Sequence, residues 1–273
     1  MNIEVNEHTA APQREVFADK DTLTGTVASK LLQVLRRTIE ADSSAHVSLT
    51  GGGAGIGTLS AVAEMLRENA ETQLDWSAVH FWWGDERLLP AHDPERNDQQ
   101  ARSALLDFLV AEHDLPDENI HAAPTSEDAA NPTAAAQIYA QQLQAFSAEE
   151  GVVVPGSQKV LRLPVFAVML LGVGPDGHIN SLFPGKSSLA VSEVTTVGEE
   201  DSPKPPPQRV SMTFDAIHTA QRVWTVVAGE DKAEAVRLAF EPGTPTADIP
   251  AKNARGASET IWHIDQPAAA GLA

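Results

Sequence analysis

The segment from Val168 to Gly185 constrains the fold of this chain more than any other. Its sequence is VMLLGVGPDGHINSLFPG: an apolar run, a glycine-rich turn that presents His178, and a second Pro-Gly turn. A continuous apolar run, here residues 164–171, is typical of a central parallel strand that is buried on both faces. In α/β folds, ligands bind at the carboxyl ends of such strands. We therefore expect a parallel sheet with His178 at its ligand-binding edge.

The rest of the chain alternates between strand-like and helix-like patterns. Short apolar runs predict further strands at 46–50, 78–83, 223–228 and 261–264. Helical patterns occupy residues 59–69, 97–110, 132–146 and 232–240. This alternation predicts an α/β fold whose mainly parallel sheet is covered by helices on both faces.

No break in composition divides the chain, so we expect one domain over residues 1–273. Two segments are predicted to be loops. Residues 151–162 are irregular and are interpreted as an insertion, and residues 198–208 (GEEDSPKPPPQ) are proline-rich and expected to be exposed. The C-terminal tail, from about residue 267, is expected to be flexible.

Composition excludes several classes of function. A formal net charge of −19 argues against nucleic-acid and anionic-membrane partners, which require basic surface. The chain has no cysteine, which excludes thiolate catalysis and thiolate metal sites. It has no apolar run of about 18 residues, and its first residues do not resemble a signal peptide, so we expect a cytoplasmic protein.

A glycine cluster, TGGGAGIG, spans residues 50–57 between a predicted strand and a predicted helix. Backbone N–H groups of such a segment can approach an anion closely, and the helix N-terminus adds partial positive charge. The segment is not a Walker A loop, because Thr58 stands where that motif needs lysine. The alternative is a tight strand–helix turn that binds nothing.

Two further clusters follow predicted strands. The first is WGDERLLP at residues 83–90, whose charges by themselves are as typical of a solvated turn as of a site. In the second, Gly172, Gly174 and Gly177 match G-x-G-x-x-G, but the motif does not open a helix and we reject a dinucleotide site. His178 lies two residues from Asp176, and an unperturbed imidazole pKa of about 6.5 suits a general base. The alternative is an ordinary hydrogen-bonded histidine.

GVGPDGHINSLFPG closely resembles the characteristic segment of the 6-phosphogluconolactonases, and four other elements resemble that family in the same order. These elements are the glycine cluster, Asp-Glu-Arg with Asn97 downstream, a Pro-rich segment before Arg209, and Lys232 in GEDKA. The glycine cluster departs from the family's Ser-Gly-Gly-Ser-Thr-Pro. Thr50, Gly51 and Gly52 match, whereas residues 53–55 are Gly-Ala-Gly and lack two side-chain hydroxyls.

The resemblance implies a single αβα domain with a Rossmann-like sheet, of the glucosamine-6-phosphate deaminase type. It implies hydrolysis of 6-phospho-D-glucono-1,5-lactone, with His178 activating water, Asp176 orienting it, and Arg87 steadying the oxyanion. Asp85 would hold Arg87 or a substrate hydroxyl. The remaining implied site residues position the substrate (Gly174, Asn97) or bind its phosphate (Thr50, Gly51, Gly52, Gly53, Arg209, Lys232).

Two alternatives stay open. A deaminase or isomerase of the same fold would have a carboxylate base at the Asp-Glu-Arg position, and a non-catalytic sugar-phosphate sensor would not need His178. The chain has neither G-x-S-x-G nor H-E-x-x-H. We therefore expect direct attack by water, with no metal and no cofactor. The expected partner is the small sugar phosphate, in a monomer or weak homo-oligomer.

Overall fold

The computed structural model describes residues 4–68 and 74–272. Eleven strands form in these residues: β1 (Pro12–Phe17), β2 (Ala45–Leu49), β3 (Val79–Trp83), β4 (Asp85–Arg87), β5 (Val152–Val153), β6 (Val160–Leu161), β7 (Phe166–Leu171), β8 (Thr196–Glu199), β9 (Arg209–Met212), β10 (Arg222–Val227) and β11 (Glu259–Asp265). Six of them make an all-parallel sheet in the order β1–β11–β10–β7–β2–β3. The predicted α/β class is confirmed.

The helices of the described residues are α1 (Lys20–Asp42), α2 (Gly52–Glu68), α3 (Asn97–Ala101), α4 (Asp107–Glu112), α5 (Pro132–Ala145), α6 (Phe214–Thr219) and α7 (Ala233–Phe240). A π-helical turn, Arg102–Leu106, joins α3 to α4. Short 3₁₀ helices span Trp76–Ala78, Asp117–Asn119, Ser187–Ala190, Glu230–Lys232 and Pro250–Asn253.

The central strand β7 is buried along its whole length, as its uninterrupted apolar sequence predicts. Its side chains alternate between two cores. Met169 and Leu171 pack in the core beneath α5, α6 and α7, whereas Val168 and Leu170 pack in the core beneath α1, α2 and the α3–α4 segment. Helices therefore cover both faces of the sheet, and the turn after β7 emerges at the sheet's carboxyl edge.

A smaller antiparallel sheet, β4–β9–β8, was not predicted. Its register pairs Asp85 with Ser211 and Arg87 with Arg209. Strand β4 follows β3 after a single residue, Gly84. The small sheet thus carries the Asp-Glu-Arg cluster away from the end of β3 and sets it beside Arg209, which is distant in sequence.

The structure corrects several local predictions. The helix predicted over residues 59–69 begins at Gly52, so the glycine cluster forms its first turns; Asn69 lies outside the described residues. Residues 151–162 are not wholly irregular, because β5 and β6 pair as an antiparallel hairpin. Strand β1 and helix α1, where Asp19 caps the helix by accepting from the Thr22 N–H, were not predicted.

The C-terminal segment also differs from the expectation of a flexible tail from about residue 267. Residues 266–271 form consecutive turns, and Ala268 is completely buried. The Asp265 carboxylate accepts hydrogen bonds from the Ala268 N–H and from the Gly229 N–H. This contact ties the end of the chain to the turn after β10.

Candidate active site

A cavity of about 320 Å³ opens where β2, β3, β7 and β10 reach their carboxyl ends. Eleven of the twelve predicted site residues line it: Thr50, Gly51, Gly52, Gly53, Asp85, Arg87, Asn97, Gly174, His178, Arg209 and Lys232. The twelfth, Asp176, lies directly behind His178. Three polar residues that sequence reasoning missed also line the cavity: Lys20, Asn180 and Lys204.

The glycine cluster forms the floor of this cavity. Thr50 Oγ1 accepts a hydrogen bond of 3.1 Å from the Gly172 N–H, which ties the end of β2 to the end of β7. Gly52 adopts φ +80°, a left-handed conformation that favours glycine, as α2 begins. A side chain at Gly51 would collide with the Asn97 carboxamide. The N-terminal amides of α2, which lack intrahelical acceptors, are therefore presented to the cavity without covering side chains.

Asp85, at the start of β4, is almost fully buried and held by three neighbours. Its Oδ2 accepts a hydrogen bond of 2.7 Å from the Ser181 hydroxyl and lies 3.9 Å from Arg209 Nη1. Asn97 Nδ2 donates to the Asp85 backbone oxygen at 2.9 Å. These contacts fix the carboxylate, the carboxamide and the guanidinium relative to one another at one wall of the cavity.

Glu86 has a structural role and lies outside the cavity lining. Its carboxylate accepts from the backbone N–H groups of Arg87, Asn97 and Asp98, and so caps the start of α3. Burial raises the pKa of Glu86, and the guanidinium of the buried Arg96 acts in the opposite direction. The carboxylate thereby positions Asn97 at the end of the cavity wall.

Arg87 reaches the cavity from the last position of β4. One guanidinium nitrogen, Nη1, donates to the Glu95 backbone oxygen. Its Nε is buried and has no hydrogen-bond partner among the described residues. A guanidinium held in place with unpaired N–H donors can bind a negatively charged oxygen that enters the cavity.

His178 forms a hydrogen-bonded group with Asp176 and Lys204. His178 Nδ1 lies 2.5 Å from Asp176 Oδ1, and Lys204 Nζ lies 3.2 Å from the same oxygen. Because the carboxylate only accepts, the imidazole must donate through Nδ1, which leaves Nε2 as the proton acceptor. Burial raises the pKa of Asp176, but the hydrogen bond from His178 and the Lys204 ammonium outweigh it, and the pKa lies well below the ordinary aspartate value.

Arg209 organises the proline-rich segment that was expected to be an exposed loop. Its guanidinium donates to the backbone oxygens of Lys204, Pro205 and Pro206 at 3.0–3.2 Å. Only part of the segment is exposed, because Ser202 is buried and Lys204 turns inward to Asp176. Arg209 is itself 5% exposed, and its Nη1 faces Asp85. Desolvation lowers the pKa of Arg209, while Asp85 opposes that shift.

Lys232 follows β10 and lines the opposite side of the cavity, where its Nζ contacts the exposed Asp231 carboxylate. Residues 4–68 and 74–272 contain no group of three or more His, Asp or Glu side chains that could hold a metal ion. Within the same residues, no helix is both long and apolar enough to span a bilayer. The cavity is thus a cationic, glycine-floored pocket with a histidine–aspartate pair at its rim.

Comparison with known proteins places this arrangement in context. Residues 18–262 match the profile of a family described as glucosamine-6-phosphate isomerases/6-phosphogluconolactonase. The chain is 40% identical over 260 residues to the 6-phosphogluconolactonase of Mycobacterium leprae, covering 94% of this chain and 97% of the relative. It is 41% identical over 263 residues to that of Streptomyces coelicolor, covering 96% and 95%.

Solved structures share the fold. The 6-phosphogluconolactonase of Trypanosoma brucei superposes with a TM-score of 0.79 at 26% identity, over 96% of this chain and 99% of that one. A monomeric glucosamine-6-phosphate deaminase superposes with a TM-score of 0.70 at 19% identity, over 95% of this chain and 99% of that one, which supports the fold alone. The predicted deaminase-like architecture is confirmed.

Proposed function

The chain belongs to the family of glucosamine-6-phosphate isomerases and 6-phosphogluconolactonases, and we propose that it hydrolyses 6-phospho-D-glucono-1,5-lactone to 6-phospho-D-gluconate in the oxidative pentose phosphate pathway. The observation that carries this proposal is the His178–Asp176 pair at the rim of a cationic, glycine-floored cavity. The lactonase names of its curated relatives support the same activity.

In the proposed mechanism, His178 is the general base. Asp176 holds the proton on Nδ1, so Nε2 removes a proton from a water molecule as its oxygen attacks the lactone carbonyl carbon. The carbonyl becomes a tetrahedral oxyanion. When it collapses, the bond between the carbonyl carbon and the ring oxygen breaks, and the imidazolium returns its proton to that oxygen. The lactone is an activated ester, so positioning and a base are sufficient chemistry.

Arg87 is proposed to stabilise the oxyanion. Its guanidinium is permanently charged and has donors left over from its contact with Glu95. Asp85 and Asn97, fixed against each other at the same wall, are proposed to position the sugar hydroxyls. Gly174 is proposed to position the substrate indirectly, because its lack of a side chain leaves room for the His178 ring beside Asp176.

The substrate phosphate is proposed to lie over the start of α2. There the backbone of Thr50, Gly51, Gly52 and Gly53 offers N–H donors and the positive end of the helix dipole. Arg209 and Lys232 are proposed to add positive charge from the two sides. Arg209 contributes mainly through Nη1, because its other guanidinium nitrogens hold the proline-rich segment.

Hydrolysis of freshly generated 6-phosphogluconolactone, followed by proton release and compared with unphosphorylated gluconolactone, tests the proposal. We expect rapid turnover that depends on the phosphate. We also expect no ammonia from glucosamine 6-phosphate, because Arg87 ends a buried Asp-Glu-Arg strand whose second acid is committed to capping α3. A lactone rate equal to the spontaneous rate contradicts the assignment, and ammonia release would favour the deaminase branch.

Replacing Gly174 by alanine is expected to lower kcat/KM by about 100-fold, the scale for displacing a catalytic group by about 1 Å. An alanine Cβ would collide with the His178 ring and stand 2.6 Å from Asp176 Oδ1. The measurement is steady-state lactonase activity with a thermal melt of the variant. The matched control is Gly25→Ala in α1, where a Cβ meets nothing within 4 Å. Unchanged kinetics in Gly174→Ala would show that the histidine position is not critical.

We further propose that residues 1–273 act as one catalytic domain, and that the enzyme is a cytoplasmic monomer or weak homo-oligomer without a nucleic-acid partner. A phosphorylated lactone is an anion that does not cross membranes, so the enzyme is expected where the substrate is made. The net charge of −19 disfavours polyanionic partners. Light scattering of the purified protein across a concentration series tests the oligomeric state.

A further inference from the structure

We propose that Lys20, the first residue of α1, completes the phosphate-binding site by placing its ammonium group beside the N-terminus of α2. This inference rests on the proposed lactonase function and deepens it, because it adds a binding residue outside the segments that carry the family resemblance. Lys20 lines the same cavity as the glycine cluster and His178. Its expected ligand is the dianionic phosphate of the sugar substrate.

The route of the Lys20 side chain depends on two glycines of α2. Gly53 and Gly57 are four residues apart and therefore lie on one face of that helix. A Cβ on Gly57 would stand 3.5 Å from Lys20 Cε, and a Cβ on Gly53 would stand 3.4 Å from Lys20 Nζ. The stem of the lysine thus runs along a face without side chains, and its ammonium ends at the first turn of α2.

The same stretch is where the sequence departs from the family pattern. Residues 53–55 are Gly-Ala-Gly in place of Ser-Thr-Pro, so two hydroxyl donors are missing from the phosphate side of the cavity. The loss of the side chain at position 53 is also what leaves the ammonium of Lys20 uncovered. A charge-assisted donor of Lys20 would therefore replace neutral donors at the same place.

The charges around Lys20 also indicate that its ammonium binds an anion. Lys20 is the first residue of α1, where the helix dipole disfavours a positive charge, and its ammonium lies at the positive end of α2 as well. No ion pair joins Lys20 to a carboxylate within the described residues. The neighbouring Asp19 carboxylate is used to cap α1, and Asp21 is the acidic residue of that first turn.

The other cations of the cavity already have protein partners. Arg87 contacts the Glu95 backbone, Lys204 contacts Asp176, Arg209 holds the proline-rich segment, and Lys232 contacts Asp231. Within the described part of the chain, Lys20 is the cavity-lining cation that makes no such contact. The Lys20 ammonium, which lies near two helix N-termini, is therefore stabilised when an anionic ligand binds beside it.

The test compares Lys20→Met, which keeps the stem, with Lys20→Arg and with Lys30→Met. Lys30 lies on the same helix outside the cavity and pairs with Glu15, so its removal changes the net charge equally. For Lys20→Met we expect kcat/KM for 6-phosphogluconolactone to fall roughly 10- to 100-fold, mainly through KM, the scale of one charge-assisted hydrogen bond. Inhibition by inorganic phosphate should weaken in parallel, and Lys20→Arg should restore most of both.

Hydrolysis of unphosphorylated gluconolactone by Lys20→Met should stay at the wild-type rate. The variant should melt at or above the wild-type temperature, because an unfavourable charge has been removed from two helix N-termini. Equal loss on both lactones, lost stability, or unchanged kinetics would each overturn the inference about Lys20. If instead the wild-type enzyme does not hydrolyse the phosphorylated lactone, the proposed function fails, and phosphate binding measured by calorimetry on wild type and Lys20→Met then tests the site by itself.

Discussion

Replacing His178 by asparagine is expected to lower kcat for 6-phosphogluconolactone by about 100-fold or more, the range for loss of a general base. Asparagine can still donate to Asp176, but it offers no nitrogen that can accept a proton from water. The elements proposed to bind the phosphate are untouched, so the affinity for 6-phosphogluconate should remain close to that of the wild type. Steady-state kinetics by proton release, together with product binding by calorimetry, measures both quantities.

The matched control for this variant is His113→Asn, at the end of α4 and outside the cavity, which should keep wild-type kinetics. The combination of lost turnover with retained product binding separates an enzyme from a sugar-phosphate sensor. If His178→Asn turned over the lactone at the wild-type rate, the base would have to be another group. If product affinity collapsed together with turnover, His178 would be a binding residue and the mechanism would need revision.

The site could be predicted from sequence where a residue follows a strand that is recognisable by its pattern. Thr50, Asp85, Gly174 and Lys232 all follow strands of the parallel sheet, and the carboxyl ends of such strands meet at one edge. The uninterrupted apolar sequence of β7 predicts that the strand is buried on both faces, and the turn after β7 places His178 at the rim of the cavity. In this way the fold class and the strand-end position of the cavity followed from local patterns, whereas Arg209 and Lys232 were assigned to it only through the family resemblance.

The missed cavity residues have no local pattern of that kind. Lys204 lies in a proline-rich segment that looks like a solvated loop, and it turns inward where the buried Arg209 binds the backbone carbonyls of Lys204 itself and of Pro205. Lys20 reaches the cavity through the packing of α1 on α2, a contact between helices that are separated by β2. Both depend on long-range packing, which strand and helix periodicity does not encode.

At the start of α2, tertiary packing outweighs the low helix propensity of the glycines. Five glycines between residues 51 and 57 favour a loop by helix propensity, so the helix was predicted to begin near Leu59. The observed start at Gly52 is stabilised by burial of Gly55 and Thr58 against the sheet end, where any side chain at Gly55 would meet the Thr50 carbonyl oxygen at 2.6 Å. The low helix propensity is the cost of a first turn without side chains, where the substrate phosphate is proposed to bind.

The second large expected effect is loss of stability on mild acidification, which arises from histidines far from the active site. His218 and His263 are almost fully buried, and burial lowers the pKa of each to about 4. Burial keeps His218 neutral, although the contact of its Nε2 with the Asn253 backbone oxygen at 3.1 Å acts against the lowering of the pKa; its Nδ1 lies 3.4 Å from Asn6 Nδ2. Both imidazoles therefore resist protonation in the native state until the pH falls well below 6.5.

Three further histidines, His46, His80 and His121, form a cluster that also lowers the stability of the protein as the pH falls. His46 and His80 stack with ring centroids 4.6 Å apart, and His80 Nδ1 lies 3.0 Å from His121 Nε2. Burial lowers all three pKa values, to about 3 for His46 and about 4 for His121, and the neighbouring imidazoles add to the shift in those two. In the unfolded chain each of these histidines takes up a proton near its ordinary pKa of about 6.5.

Between about pH 6.5 and pH 4 the unfolded state therefore binds more protons than the native state, so the free energy of unfolding rises with pH across that window. A fully buried histidine contributes about 1 kcal/mol per pH unit there. We expect urea denaturation to show stability that is nearly constant above pH 7 and falls steeply below pH 6.5. Most carboxylates titrate below pH 5. Glu86 is the exception, because burial raises its pKa to about 7, so its carboxyl group opposes the histidines in the upper half of the window without outweighing all five of them.

The slope of stability against pH, rather than stability itself, tests this origin. His218→Gln will destabilise the protein through lost packing, but its slope between pH 6.5 and pH 5 should be smaller than that of the wild type by about 1 kcal/mol per pH unit. The control His8→Gln alters an exposed histidine and should keep the wild-type slope. An unchanged slope in His218→Gln, or a wild-type stability that is flat from pH 7 to pH 5, would assign the acid response to other groups. The expected result instead assigns the loss of stability on acidification to the buried imidazoles.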